Sequence, residues 1–145
     1  MKLKKFICPL LCVICCLLVF PTTVQAAESD VMPLYDYTRQ ASAALSINSN
    51  GKATLSISCT GIKGEASKIN AETCLQRKVG LIWVKVDIGM TDNIWKDNSS
   101  TYYLNASHST TVNKSDKYRT KTVFTVFNNS NKSEKVTIYS NEVEY

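Results

Sequence analysis

Lys117-Tyr-Arg-Thr-Lys-Thr-Val-Phe-Thr-Val-Phe-Asn128 places Tyr118, Thr120, Thr122, Phe124 and Val126 on one side of an extended chain. Their neighbours Arg119, Lys121, Val123, Thr125 and Phe127 fall on the other. A period of two in a β-branched and aromatic stretch is the signature of a strand with one face in a core. No mature segment shows the 3.6-residue period of a helix, so the fold decision rests on how many such strands there are.

Working back from this strand, Ala43, Leu45 and Ile47 alternate with polar neighbours up to Asn48-Ser-Asn-Gly51. Leu55, Ile57 and Cys59 then resume the alternation, and the two runs read as a hairpin with Gly51 available for positive φ. Ile69, Ala71, Thr73 and Leu75 share a third face, opposite Asn70, Glu72, Cys74 and Gln76. Leu81–Ile88 is nearly all apolar or β-branched on both faces, with Lys85 and Asp87 marking the wet side, which predicts a fourth strand with Trp83 in the core. A polar loop follows over 89–100, then a weaker strand over 101–112. Beyond Asn128–Lys132, Val136, Ile138 and Val143 lead out to Tyr145. About seven short strands with regular turns predict an all-β fold: a two-sheet antiparallel sandwich, immunoglobulin/fibronectin-like. Tyr118, just after a Lys-Ser-Asp turn, stands where such sandwiches place a corner tyrosine; an ordinary core tyrosine is the alternative.

The N-terminus reads as a leader. Lys2, Lys4 and Lys5 precede an apolar run from Phe6 to Phe20, and Val24-Gln25-Ala26 has the small-residue pattern of a cleavage site. Residues 1–26 are therefore expected to be a signal peptide cleaved near Ala26–Ala27, leaving no membrane span and a secreted, extracellular product. Residues 27–42 are expected to form an N-terminal arm and 43–145 the sandwich domain. Four of the six cysteines leave with the leader. Losing Lys2, Lys4 and Lys5 reduces the 17 basic residues to 14 against 12 acidic ones, so the mature charge falls from +5 to +2. So small a charge, with lysines spread along the chain, is a poor footprint for nucleic acid.

The stretches Leu45-Ser-Ile-Asn-Ser-Asn-Gly-Lys-Ala-Thr54, Leu75-Gln-Arg-Lys78 and Lys117–Val126, with Met32-Pro-Leu-Tyr35, resemble small secreted proteins of low-GC Gram-positive bacteria. Those proteins form a domain-of-unknown-function family, and the resemblance spans roughly residues 32–145. It implies an exported bacterial protein and carries no catalytic or binding residue across. Relatives commonly hold apolar residues where Thr120 and Thr122 stand here.

Chemistry-bearing residues are few. His108 is the only histidine and sits in Ala-Ser-His-Ser-Thr, without a nucleophile motif in the sequence, so a solvated surface position is expected. Asp87, Asp92, Asp97 and Asp116 are the acids for a carboxylate pair, and nothing in the sequence pairs them. Asp92–Asn98 carries oxygen ligands but lacks the glycine and distal glutamate of a calcium loop. No metal or other cofactor is therefore expected. Cys59 and Cys74 form a candidate disulfide in an oxidising compartment. Alternation puts them on opposite strand faces, favouring a buried Cys59 and an exposed Cys74. Trp95, Met90 and Tyr102 are the candidate partner-binding residues, Trp95 serving either as a loop anchor or as a plug at the sandwich end. The expected function is a non-enzymatic binding module for an unknown protein or glycan at or near the cell surface, of undetermined oligomeric state. The alternatives are a structural or assembly protein of an envelope, spore or matrix layer, and a small secreted hydrolase.

Overall fold

A computed structural model describes residues 35–114 and 116–145. The expected leader and residues 27–34 of the expected arm lie outside the described residues. Two antiparallel sheets pack face to face as a β-sandwich. One holds β1 (Thr38–Ile47), β2 (Lys52–Gly61) and β6 (Tyr103–Thr111), in the order β1-β2-β6. The other has the path β4-β3-β7-β8, formed by β4 (Ile82–Lys85), β3 (Ala66–Val79), β7 (Lys117–Asn128) and β8 (Ser133–Tyr139). β5 (Trp95–Ser99) also pairs with β3, and β9 (Val143–Glu144) with β7.

Alternation accounts for the core. Ile57, Cys59, Ile69, Ala71, Phe124, Val126 and Val136 pack in one cluster, and Leu45, Leu55, Leu75, Trp95 and Tyr118 in a second. Asn48 Oδ1 accepts from the amides of Asn50 and Lys52 to cap the β1–β2 turn. Gly51 completes that turn at φ +76°, with the Val112 carbonyl 2.9 Å from where a Cβ would stand, so both space and conformation demand glycine. Asn128 repeats the device between β7 and β8, accepting from Ser130 and Lys132. Of the two alternatives for Tyr118, the ring is buried in the core and its hydroxyl also donates to the Asn113 carbonyl at 3.0 Å.

One margin of the sandwich is closed by side chains from the end of the chain. Asn141 accepts from the Leu45 amide and donates to the Leu45 carbonyl, both at 3.0 Å, giving edge strand β1 a substitute for a missing neighbour. Glu134 accepts from the amides of Asp36 and Tyr37 and from the Thr38 hydroxyl. Thr38 already begins β1, so strand structure starts inside the expected arm rather than at residue 43. The expected loop over 89–100 contains a short 3-10 turn at Thr91–Asn93 and then β5, whose polar sequence is held by pairing with β3.

Candidate functional site

The sequence Arg77-Lys-Val-Gly-Leu-Ile-Trp-Val84 folds back on itself at the β3–β4 hairpin. Val79 pairs with Ile82, leaving Gly80-Leu81 as a two-residue turn with Gly80 at φ +58°. Positive φ at the first central position is what a type II′ turn requires, and its twist matches that of the flanking strands. The short connection projects three apolar side chains: Leu81 is 97% exposed, Ile82 63% and Val79 46%. Hydrophobic side chains gain free energy by leaving water, and here three neighbours in sequence remain in it.

Register then decides what flanks this tip. On the outer face of the six-stranded sheet, Lys78 lies opposite Trp83, Gln76 opposite Lys85 and Arg119, and Cys74 opposite Lys121. The Arg119 guanidinium lies between two rings, 4.2 Å from the centre of Trp83 and 4.3 Å from that of Tyr139. Its Nε donates to Gln76 Oε1, and Lys78 Nζ stands 5.8 Å from the Trp83 ring. Such stacking holds cations over the negative faces of the rings. Lys78, Lys85, Arg119 and Lys121 form no ion pair among the described residues. Lys85 Nζ donates only to the Asp92 carbonyl, which leaves its charge uncompensated. Trp83 is thus half-buried on an outer face, not in the core as expected. Among the described residues, no second layer covers this side of edge strand β4.

The outer face of the other sheet is chemically different. Ser42, Ser46, Thr54, Ser56, Ser58, Asn105, Ser107 and Ser109 alternate there across β1, β2 and β6. Hydroxyls and an amide dominate it, with Lys52 and Tyr103 at its two ends, whereas cations and aromatic rings, with Glu72 among them, dominate its counterpart.

No protein-family model matches the chain, and no curated protein matches it.

Trp95 is 7% exposed and packs in the second core cluster, so of the two expected placements the structure has the plug and not the anchor. Its ring stacks on His108, with centroids 5.2 Å apart and planes 11° from parallel. His108 Nε2 is 2.8 Å from Asp97 Oδ2, and both side chains are largely buried. His108 is therefore not the solvated residue expected. It faces inward beside Leu55 on edge strand β6, and Trp95 and Asp97 face inward on edge strand β5. Together they close the margin opposite the one closed by Asn141. Met90 and Tyr102 are exposed, but β5 lies between them in the chain. Tyr102 follows the end of β5 that pairs with Ile69, roughly 30 Å along β3 from the hairpin tip at strand rise. The structure does not bring these three candidates into one surface.

The acids have separate local partners. Asp97 pairs with His108, Asp116 pairs with Arg77 at 3.2 Å, and Asp87 Oδ1 accepts from the Gly89 amide. Asp92 sits at φ 59° in the 3-10 turn. Both cysteines are free thiols. Cys59 is sealed between the sheets, where burial, assisted by the Glu134 carboxylate, pushes its pKa up to about 12. Cys74 is on the outer face but only 6% exposed, contrary to the exposed position expected of it. Burial raises its pKa, and Lys85, Lys121 and Arg119 pull against that rise. Lys121 lies directly opposite Cys74 on that face, and long side chains of this kind cover apolar neighbours with their stems.

Proposed function

We propose that this chain is a secreted, non-enzymatic β-sandwich binding module acting at or near the cell surface, with the β3–β4 hairpin and the adjoining cation–aromatic face as its contact surface. The exposure of Leu81 beside Val79 and Ile82 carries this reading, because a small sandwich has no folding reason to leave three adjacent aliphatic side chains in water. The strand order β1-β2-β6 against β4-β3-β7-β8, with the Tyr118 corner, supports an immunoglobulin/fibronectin-like scaffold. On such a scaffold, binding is concentrated in connections held by rigid strands. The engagement of His108 with Trp95 and Asp97 supports a structural role for the only histidine.

Sedimentation of the purified chain with envelopes of its producing cells tests the proposal. The wild type is expected to pellet with the envelopes and the Leu81→Asp/Ile82→Asp variant to stay in solution. Equal sedimentation of the two would remove the hairpin from the contact surface.

A further inference from the structure

Resting on the hairpin being the contact surface, we infer that its partner is an anionic lipid bilayer. Val79, Leu81 and Ile82 enter the boundary between headgroups and acyl chains, and Lys78, Lys85, Arg119 and Lys121 meet the lipid phosphates.

Shape is the first argument. Leu81, 97% exposed, stands on the two-residue turn itself, with Val79 and Ile82 on the strand ends that flank it, rather than in a groove. A rigid protein partner must supply a cavity shaped to such a tip, whereas a fluid bilayer admits it directly. Charge is the second. Lys78, Lys85, Arg119 and Lys121 come from β3, β4 and β7 to one face, and none forms an ion pair among the described residues. A negative lipid surface supplies the missing counter-charge, and basic clusters beside an apolar segment bind such surfaces in proportion to their charge. Layering is the third. Trp83 directly follows Ile82, and Trp83 and Tyr139 hold Arg119 between them. Amphipathic rings between an apolar tip and cationic side chains repeat the order of the interface, where Trp and Tyr occupy the headgroup level. The outer face of the other sheet has no such cluster among the described residues: Lys52 and Tyr103 stand at opposite ends of it, paired with Thr111 and Thr60.

The test is co-sedimentation of the chain, in the form its producing cells export, with vesicles of equal parts phosphatidylglycerol and phosphatidylcholine or of phosphatidylcholine alone. Binding is expected to the mixed vesicles and not to the neutral ones, with weakening as salt screens the cations. Leu81→Asp/Ile82→Asp is expected to lower affinity at least about tenfold. Lys78→Gln/Lys121→Gln should cost about fivefold per charge removed. Ile82→Ser provides a milder variant, and an unchanged melting temperature confirms that each variant folds. Absence of vesicle binding by the wild type overturns the lipid assignment, as does equal binding by Leu81→Asp/Ile82→Asp or Lys78→Gln/Lys121→Gln. If vesicles fail but envelope sedimentation still depends on Leu81 and Ile82, the contact surface stands and its partner is a protein or glycan. If envelope sedimentation is also independent of them, both readings fall.

Discussion

Thr122 Oγ1 lies 3.0 Å from Thr73 Oγ1 in the middle of the sandwich, a hydroxyl pair between the two central strands β3 and β7 where apolar side chains would ordinarily meet. Two residues earlier on the same face, Thr120 is equally buried, but its Oγ1 has no partner among the described residues. The two threonines share a strand, a face and a degree of burial, yet replacing them should have opposite effects.

Thr120→Val removes an unpaired buried hydroxyl at nearly constant volume, and is expected to stabilise the fold by about 1 kcal/mol. Thr122→Val strands the Thr73 hydroxyl and is expected to cost about 1–2 kcal/mol. Paired urea denaturation curves check both signs. A destabilised Thr120→Val would show that this hydroxyl is satisfied in solution.

Tyr118→Phe keeps the ring in the core and deletes the hydroxyl that donates to the Asn113 carbonyl at 3.0 Å and also stands 3.4 Å from Asp116 Oδ2. Loss of that bond, with a carbonyl left short of a partner, is expected to cost about 1–2 kcal/mol and several degrees of melting temperature. An unchanged transition would reduce the corner to ordinary ring packing.

Trp95→Ala opens a cavity beside Leu55 and Leu75 and removes the surface on which His108 stacks. A cost of about 3–5 kcal/mol is expected. A variant with wild-type stability would mean that the ring is not part of the core.

The thiols make a pH-dependent prediction. Because Cys59 is held protonated up to about 12, while an exposed thiol titrates near 9.0, the folded state binds more protons between those values. Stability associated with Cys59 is therefore complete below pH 9.0 and declines as pH rises from there toward 12. The raised pKa of Cys74 acts in the same direction. Cys59→Ala is expected to flatten the alkaline decline in melting temperature relative to wild type. Near neutral pH both thiols should resist iodoacetamide until the chain unfolds, then add two alkyl groups by intact mass. Rapid labelling of the native chain would contradict the burial of these side chains.

Much of the scaffold was legible because alternation is a local property. Tyr118 through Val126 revealed its inward face in the sequence, and the opposite parity of Cys59 and Cys74 anticipated thiols on two sides of a sheet. The cation–aromatic face was not legible, because it depends on register. Lys78, Lys85, Arg119 and Lys121 lie at separate places in the chain and become neighbours only when β3 pairs with both β4 and β7. Trp83 looked like core because its neighbours are apolar on both sides, but its strand lies on an edge where, among the described residues, no layer covers one side. His108 looked solvated because serines flank it; its burial depends on Trp95 and Asp97 approaching on β5. That polar segment becomes a strand through tertiary pairing rather than intrinsic preference.

The central claim is that the surface for contact and the core for folding are carried by different residues. It is tested most directly by measuring envelope sedimentation and melting temperature together for Leu81→Asp/Ile82→Asp and for Trp95→Ala. The hairpin variant should lose sedimentation at wild-type melting temperature. Trp95→Ala, assayed below its lowered transition, should sediment normally. A hairpin variant that sediments like wild type, or a Trp95→Ala protein that remains fully stable but no longer sediments, would contradict it.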